Sequence, residues 1–385
     1  MLYKRLLNVG LALITISGLL LGCAPEAEET GDIEEMEEVV IGVYEPMTGA
    51  QAAGGVQTMQ GVDLAYAQKD EVLGVPIRMI LVDNRGDKAE SATAMTRLIE
   101  QENAVAVVGS YGSSNSMAGG EVSEAAGIPV MGCSPTNPLV TEGKDYYFRA
   151  CFIDPFQGRV MAKYATEQGI EKVAIIQNIS QDYSVGLAAF FKQSWVDLMG
   201  SEEGIVSETS YQDGDQDFTA QLSDIGDAQA IFAPGYYGDA ALLMKQAREM
   251  GFTGLFMGTD AWEAPELVEI AGDSAEGCVF SSHYSAEAAT TPASAPFVEA
   301  FEAEYGEKPS AMAALGYDAY MLVIDAIERA GSFDPEAIRD AMAATENFEG
   351  VTGYITINET GDAVKDAVVL EVQDGEFKYL STVSP

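Results

Sequence analysis

Histidine is nearly missing from this chain: 385 residues contain one, His283, together with four cysteines and two tryptophans. A single imidazole excludes any site that needs two histidine ligands, and it leaves His283 alone able to complete a Ser–His or Cys–His pair. Between Ser282 and Tyr284, that histidine reads as a polar loop residue. Basic residues are also scarce, 20 against 61 acidic ones, for a net charge of −41. Such a surface repels a phosphate backbone, which excludes nucleic acid as a partner. No G-x-G-x-x-G follows a strand-like run, no G-x-x-x-x-G-K-[ST] occurs, and no G-x-S-x-G marks a nucleophile elbow. Asp213, Asp215 and Asp217 imitate the start of a calcium loop, but Phe218 stands where the turn needs glycine and Asp224 where the loop needs a bidentate Glu. An acidic turn, with Asp217 capping a helix, is the simpler expectation. The reading is of a protein that is not an enzyme, with no cofactor and no metal.

What is present is apolar material, 47% of residues, enough for two domains of ordinary size. Lys4 and Arg5 precede an apolar run, Leu6 to Leu21, the pattern of an export signal over residues 1–22. A membrane span is the competing reading, for which the run is short. The junction Leu20-Leu21-Gly22-Cys23 resembles the lipobox of bacterial lipoproteins, and implies cleavage before Cys23 and a lipid anchor on it. Ala24 to Glu38 carries eight carboxylates and almost nothing large and apolar, so residues 23–38 are expected to be a flexible tether. Cys133, Cys151 and Cys278 remain. Export permits a Cys133–Cys151 disulfide, and three buried thiols are the alternative.

From Val39 onward the hydrophobic period alternates. Strand-like runs at Val39–Tyr44, Ile77–Asp83, Ala104–Gly109 and Ile128–Gly132 form one series. Lys172–Gln177, Gly204–Glu208, Ala228–Pro234 and Gly254–Gly258 form a second. Amphipathic stretches separate them: Ala240, Leu243, Met244, Ala247 and Met250 share a stripe, and Asp87 with Glu90 three residues on predicts a helix start. Two consecutive βαβ series predict an α/β protein of two Rossmann-like lobes with parallel central sheets. After Ser281 come helices at Pro296–Tyr305, Ala311–Ala330 and Pro335–Ala344, then strand-like runs at Tyr354–Asn358, Val368–Val372 and Glu376–Leu380.

Open α/β sheets bind ligands beyond the carboxyl ends of their strands. Four polar loops stand at such positions: Ser110–Ser116 leading into a helix, Cys133–Pro138, Gly235-Tyr236-Tyr237, and Thr259-Asp260-Ala261-Trp262. Hydroxyls beside the free N–H groups of a helix start suit a carboxylate. The order VVIGVYEPMTG, VVGSYGSS, IPVMGCSPTNP, FRACFIDPFQG, VAIIQNISQDYSVGL, GDQDFTAQLSDI, PGYYGDAALLMKQAREMG and LFMGTD is similar to the leucine/isoleucine/valine-type substrate-binding proteins of ABC importers, which are type I periplasmic binding proteins.

That resemblance spans the chain from Val39 and implies two lobes closing on a small solute about a three-segment hinge near Phe152–Pro155, Ser281–Tyr284 and Val364–Ala367. The implied lobes are 39–152 plus 284–365, and 153–283 plus 366–385. The implied ligand is an amino acid, branched-chain or larger, or a related zwitterion. Its carboxylate falls to Tyr111-Gly112-Ser113 and to the loop of Ser134 and Thr136, its ammonium to Tyr236 and Asp260, with Tyr183 packing over it. Asp260 replaces a longer Glu. Gly54 stands where relatives carry a bulky aromatic, which implies added room beside the ligand side chain. The implied partners are a membrane ABC permease and a lipid anchor for an exported monomer. The alternatives are a ligand-sensing receptor on the same fold, or a binder of a non-amino-acid carboxylate or amide.

Overall fold

The computed structural model describes residues 36–288 and 290–385. The export signal, Cys23 and all but the last three residues of the tether lie outside the described residues. The first sheet contains β1 (Val39–Glu45), β2 (Glu71–Val72), β3 (Val75–Asp83), β4 (Ala106–Val108), β5 (Val130–Gly132) and β6 (Tyr147–Arg149), in the order β2-β3-β1-β4-β5-β6. All pairs are parallel except the β2–β3 hairpin. The central strand β1 is buried along its whole length, which is why it reads as a continuous apolar run.

The second sheet contains β7 (Val173–Asn178), β8 (Ile205–Tyr211), β9 (Ala230–Phe232), β10 (Leu255–Gly258) and β11 (Val279–Ser282) in parallel. A third, small sheet follows in the chain: β12 (Phe348–Gly350), β13 (Gly353–Ile357) and β14 (Ala363–Val364). The C-terminal strands β15 (Ala367–Gln373) and β16 (Glu376–Val383) then return to the second sheet, antiparallel, giving β16-β15-β11-β10-β9-β7-β8. The centres of both sheets are parallel, as expected, and antiparallel strands join only at an edge, so both sheets are mixed. A hairpin supplies those edges because its short turn can join only antiparallel neighbours.

Helices cover the sheets. Those before the first change of sheet are α1 (Ala52–Gln68), α2 (Lys88–Glu100) and α3 (Ser113–Ala126). Asp87 caps α2, accepting from the N–H groups of Ala89 and Glu90. The second lobe holds α4 (Asp154–Glu167), α5 (Asp182–Met199), α6 (Thr219–Ser223), α7 (Tyr237–Glu249) and α8 (Pro265–Ala271). Asp217 accepts from Thr219 N at the start of α6. Then α9 (Ser294–Tyr305), α10 (Ala311–Ala330) and α11 (Pro335–Ala343) return to the first lobe, where α10 shares one core with β1, β4 and β5. Its contact with α1 is backbone to backbone. A Cβ on Gly61 would lie 1.8 Å from Ala313 O, and one on Gly316 2.2 Å from Thr58 O, so only glycine permits the approach.

The chain passes between the sheets three times: between Arg149 and Asp154, after Ser282, and between Val364 and Ala367. Cys133, Cys151 and Cys278 are free, buried thiols, which settles the disulfide question against the bridge. Cys151 Sγ donates to Pro135 O at 3.5 Å.

Candidate functional site

Each loop singled out in the sequence ends a strand, and the two lobes bring these ends face to face. In the first lobe β4 runs into Gly109-Ser110-Tyr111, and Gly112 forms the extended N-cap of α3. The first N–H groups of α3 have no partner within the helix and lie beside the Ser113 hydroxyl. Ser113 Oγ accepts from Asn137 N at 3.2 Å, and Ser134 Oγ donates to Tyr111 O at 3.3 Å, which ties the two loops together. The 134–141 loop is held from behind by Arg149, fully buried, whose guanidinium donates to Pro135 O, Asn137 O, Thr141 Oγ1 and Asp362 Oδ1 at 2.6–2.8 Å. Beneath the first loop, Glu45 Oε2 accepts from Tyr111 N at 2.8 Å, and burial pushes this carboxyl up to about 8.

The second lobe answers with Tyr183 at the start of α5, Tyr236 at the N-cap of α7, and Asp260 just past β10. Tyr111, Ser113, Ser134, Tyr183, Tyr236, Asp260 and Ala261 line one small cavity of about 10 Å³, the room of about one water. The Tyr236 ring lies between the other two, 5.7 Å from Tyr111 and 5.6 Å from Tyr183. A larger groove opens elsewhere along the lobe boundary, but its lysines, Lys308 and Lys378, already pair with Glu287 and Glu376. Convergent buried polar groups mark the small cavity as the candidate site.

Asp260 is the charge in it. Its Oδ1 accepts from Gln157 Nε2 at 2.5 Å and from the Tyr183 hydroxyl at 2.6 Å, and its Oδ2 lies 3.0 Å from His283 Nε2. Burial by itself would raise this carboxyl, but the contacts with His283, Tyr183 and Gln157 outweigh it and hold it below the ordinary 3.8. Three donors fill three of about four acceptor directions, leaving one.

Three sequence-predicted residues sit apart from the lining: Gly112, Thr136 and Gly54. Thr136 is fully buried, its hydroxyl without a hydrogen-bond partner, beside Asp154, which burial pushes up to about 8. Gly54 offers no space: a Cβ there would lie 2.3 Å from the Tyr111 ring. The expected room is filled by an aromatic reaching across from another loop, and this corrects the expectation.

The cleft is closed. Asp182, at the start of α5, accepts from Lys88 Nζ at 2.6 Å and Ser114 Oγ at 3.0 Å, and its carbonyl accepts from Asn137 Nδ2 at 2.9 Å. Ala53 N donates to the Tyr237 hydroxyl at 3.2 Å. Nearer the hinge, Glu263 Oε1 accepts from Ala311 N at 2.8 Å, while Ser282 Oγ donates to Oε2, and burial pushes this carboxyl up to about 7.

A sequence profile described as "Periplasmic binding protein" matches residues 38–376. The chain belongs to the periplasmic binding protein family. Members of this family are extracytoplasmic solute receptors, not enzymes. Among its relatives is the leucine-, isoleucine-, valine-, threonine- and alanine-binding protein of Pseudomonas aeruginosa, 28% identical over 85% of this chain and 87% of that one. The crystal structure of a leucine-binding protein from Thermotoga maritima is 42% identical, with a TM-score of 0.87 over 90% of this chain and 99% of the other. A branched-chain amino acid transporter substrate-binding protein from Streptococcus pneumoniae, in complex with isoleucine, is 32% identical, TM-score 0.84, over 90% and 100%. A solute-binding protein from Rhodopseudomonas palustris, in complex with 3,4-dihydroxybenzoic acid, is 27% identical, TM-score 0.79, over 91% and 98%.

Within this periplasmic binding protein, sequence reasoning missed Gln157 and His283. His283 is 2% exposed and stacks on Phe152, with ring centroids 3.8 Å apart, so it is no loop residue in solvent. Its signal was its place just after a strand-end pair of serines, opposite an Asp at another strand end; only the fold reveals that the two meet.

Proposed function

We propose that this protein is the solute receptor of an ABC importer and that it captures an amino acid or a similar small zwitterion between its closing lobes. One observation carries the reading: a helix start with two hydroxyls faces a buried carboxylate with two tyrosines across a single closed cavity. The first set suits a carboxylate and the second an ammonium group. The ligands of the Thermotoga, Pseudomonas and Streptococcus relatives support it. In this reading Tyr111, Gly112, Ser113, Ser134 and Thr136 form the anion end, Tyr183, Tyr236 and Asp260 the cation end, and Gly54 the seat of the Tyr111 ring.

A thermal-shift screen of the purified protein against amino acids and their deaminated analogues tests it. A ligand at a hundred times its Kd adds roughly 2.7 kcal/mol of stability. A screen in which no amino acid raises the melting temperature rejects the reading. A second reading, a carboxylate ligand without an amine, draws on the three protein donors already held by Asp260 and on the dihydroxybenzoate complex of a relative. Its mark in the same screen is stabilisation by the deaminated acids alone.

The lipobox-like Leu20-Leu21-Gly22-Cys23 supports delivery from a membrane-anchored position beside a permease. Replacement of Cys23 by serine (Cys23→Ser) then moves the protein from the membrane to the soluble fraction or leaves it unprocessed. A variant that keeps its lipid rejects the anchor.

A further inference from the structure

Asp260 reaches the cavity from the second lobe, but one of its oxygens is held from the hinge. His283 immediately follows β11, where the chain leaves the second sheet, and its Nε2 lies 3.0 Å from Asp260 Oδ2. Phe152, at the first passage between the lobes, stacks on the imidazole. Nδ1 is buried and has no partner, so the proton on this ring belongs on Nε2, where it is donated to Asp260. A second proton on Nδ1 finds no acceptor.

We propose that His283 is a positioning residue for ligand capture: its Nε2–H holds Asp260 as an ionised acceptor with one direction open to the ligand's ammonium, and protonation of the ring weakens that capture. This rests on the amino-acid reading above. The physical reason is charge. A neutral imidazole donates a hydrogen bond and leaves the carboxylate its full attraction for a cation. An imidazolium at the same place neutralises the carboxylate and repels an ammonium beside it in a poorly hydrated cleft. Burial lowers the imidazole below its ordinary 6.5, with Asp260 pulling the other way and Lys365 adding to the lowering.

The other ionisable neighbours also belong in the account. Lys365, from the third passage between the lobes, is lowered to about 8 by burial; Asp154 and Glu263 are raised to about 8 and about 7; the Cys151 thiol and the Tyr183 hydroxyl are raised by burial. Asp154 and Glu263 titrate near neutrality and would by themselves give binding a pH dependence. The histidine must therefore be observed directly.

A chain with one histidine allows that. Proton NMR of the untagged protein follows a single imidazole through a pH titration, alone and with L-leucine, L-alanine or their deaminated analogues at saturation. Binding of an amino acid is expected to move the midpoint down by about one pH unit, while a deaminated acid does not. Calorimetry over the same range shows amino-acid affinity falling by about tenfold in all as the pH drops through the ligand-free and then the ligand-bound midpoint. His283→Gln, which keeps an N–H for Asp260 but cannot titrate, loses that fall. His283→Ala removes the donor as well and loses amino-acid affinity at pH 7.5, beyond any loss in the glutamine variant. An imidazole midpoint unmoved by a bound amino acid, or a glutamine variant that keeps the wild-type fall, overturns the proposal. If no amino acid binds the wild type at pH 7.5, the amino-acid reading itself is lost, a result distinct from binding without coupling.

Discussion

The two ends of the cleft solve opposite problems with different materials. The first lobe meets the cavity with neutral donors, the start of α3 and Ser113, fixed by Ser134 and by the loop that Arg149 grips from behind. None of these donors is itself a buried charge, because a helix start offers partial positive charge wherever it is placed. The second lobe meets the cavity with a full charge, Asp260, and must keep it ionised out of water. Gln157, Tyr183 and His283 all serve that one carboxylate. An anion can thus be met by backbone geometry, whereas a cation demands a carboxylate with its own retinue, and the retinue reaches into the hinge.

This contrast is broken most severely at Asp260. Asp260→Asn keeps the shape and removes the charge, so a bound ammonium loses its partner in a closed cleft. Losing one member of such a pair costs about 2–5 kcal/mol, at least thirtyfold in amino-acid affinity by calorimetric titration. A deaminated acid should bind as before or better. Equal losses for both ligands would make the acid structural and collapse the distinction between the two ends.

A smaller effect is expected on the boundary between the ends. Gly54→Ala places a methyl group 2.3 Å from the Tyr111 ring, which must move against Tyr236. Overpacking of this kind costs about 1–3 kcal/mol of stability in chemical denaturation. Ligand affinity should drop with it, since the displaced ring lines the cavity. A variant with wild-type stability would show that α1 shifts to make the room.

The smallest effect concerns acidity. Glu45, Asp154 and Glu263 are raised by burial to about 8, 8 and 7, while the unfolded chain ionises them near 4.5, 3.8 and 4.5. The fold therefore keeps protons that the unfolded chain has released. Stability from these groups is full below their unfolded values and is lost as pH rises toward 8. Lowering the pH from 8 to 6.5 should raise the melting temperature, each group adding at most about 1.4 kcal/mol of stability per pH unit. Below 6.5 His283 opposes the trend, because its lowered value makes the fold lose stability as the ring is forced to take a proton. Glu263→Gln should flatten the rise, and a slope unchanged in that variant would place the titration at Glu45 and Asp154.

Periodicity carried most of the fold. The eight early strand-like runs all contain strands of the two sheets, and α10 spans Ala311–Ala330 as its pattern predicts. The exceptions are short or edge elements. β6 has three residues, Tyr147–Arg149, and β14 has two, too few for an alternation to register. For the site, strand-end loops were legible because sheet topology dictates where they lie. Contacts made across many intervening residues were not. Gly54 looks like vacancy until Tyr111 is seen lying on it, and His283 looks solvated until Phe152 and Asp260 close around it.

The first sheet runs out at Arg149, yet the helix that completes its core, α10, lies at Ala311–Ala330. In a chain that emerges N-terminus first, whether from a ribosome or through a translocation channel, Val43, Val108 and Met131 wait without their cover. The five parallel strands of the second sheet are all out by Ser282 and need only the terminal hairpin to finish their edge. The lobe that is made first is therefore completed late, and while it waits its bare apolar face invites a chaperone or a second copy of itself. Truncations that stop short of Ala330 leave this face open however much of the second lobe they retain.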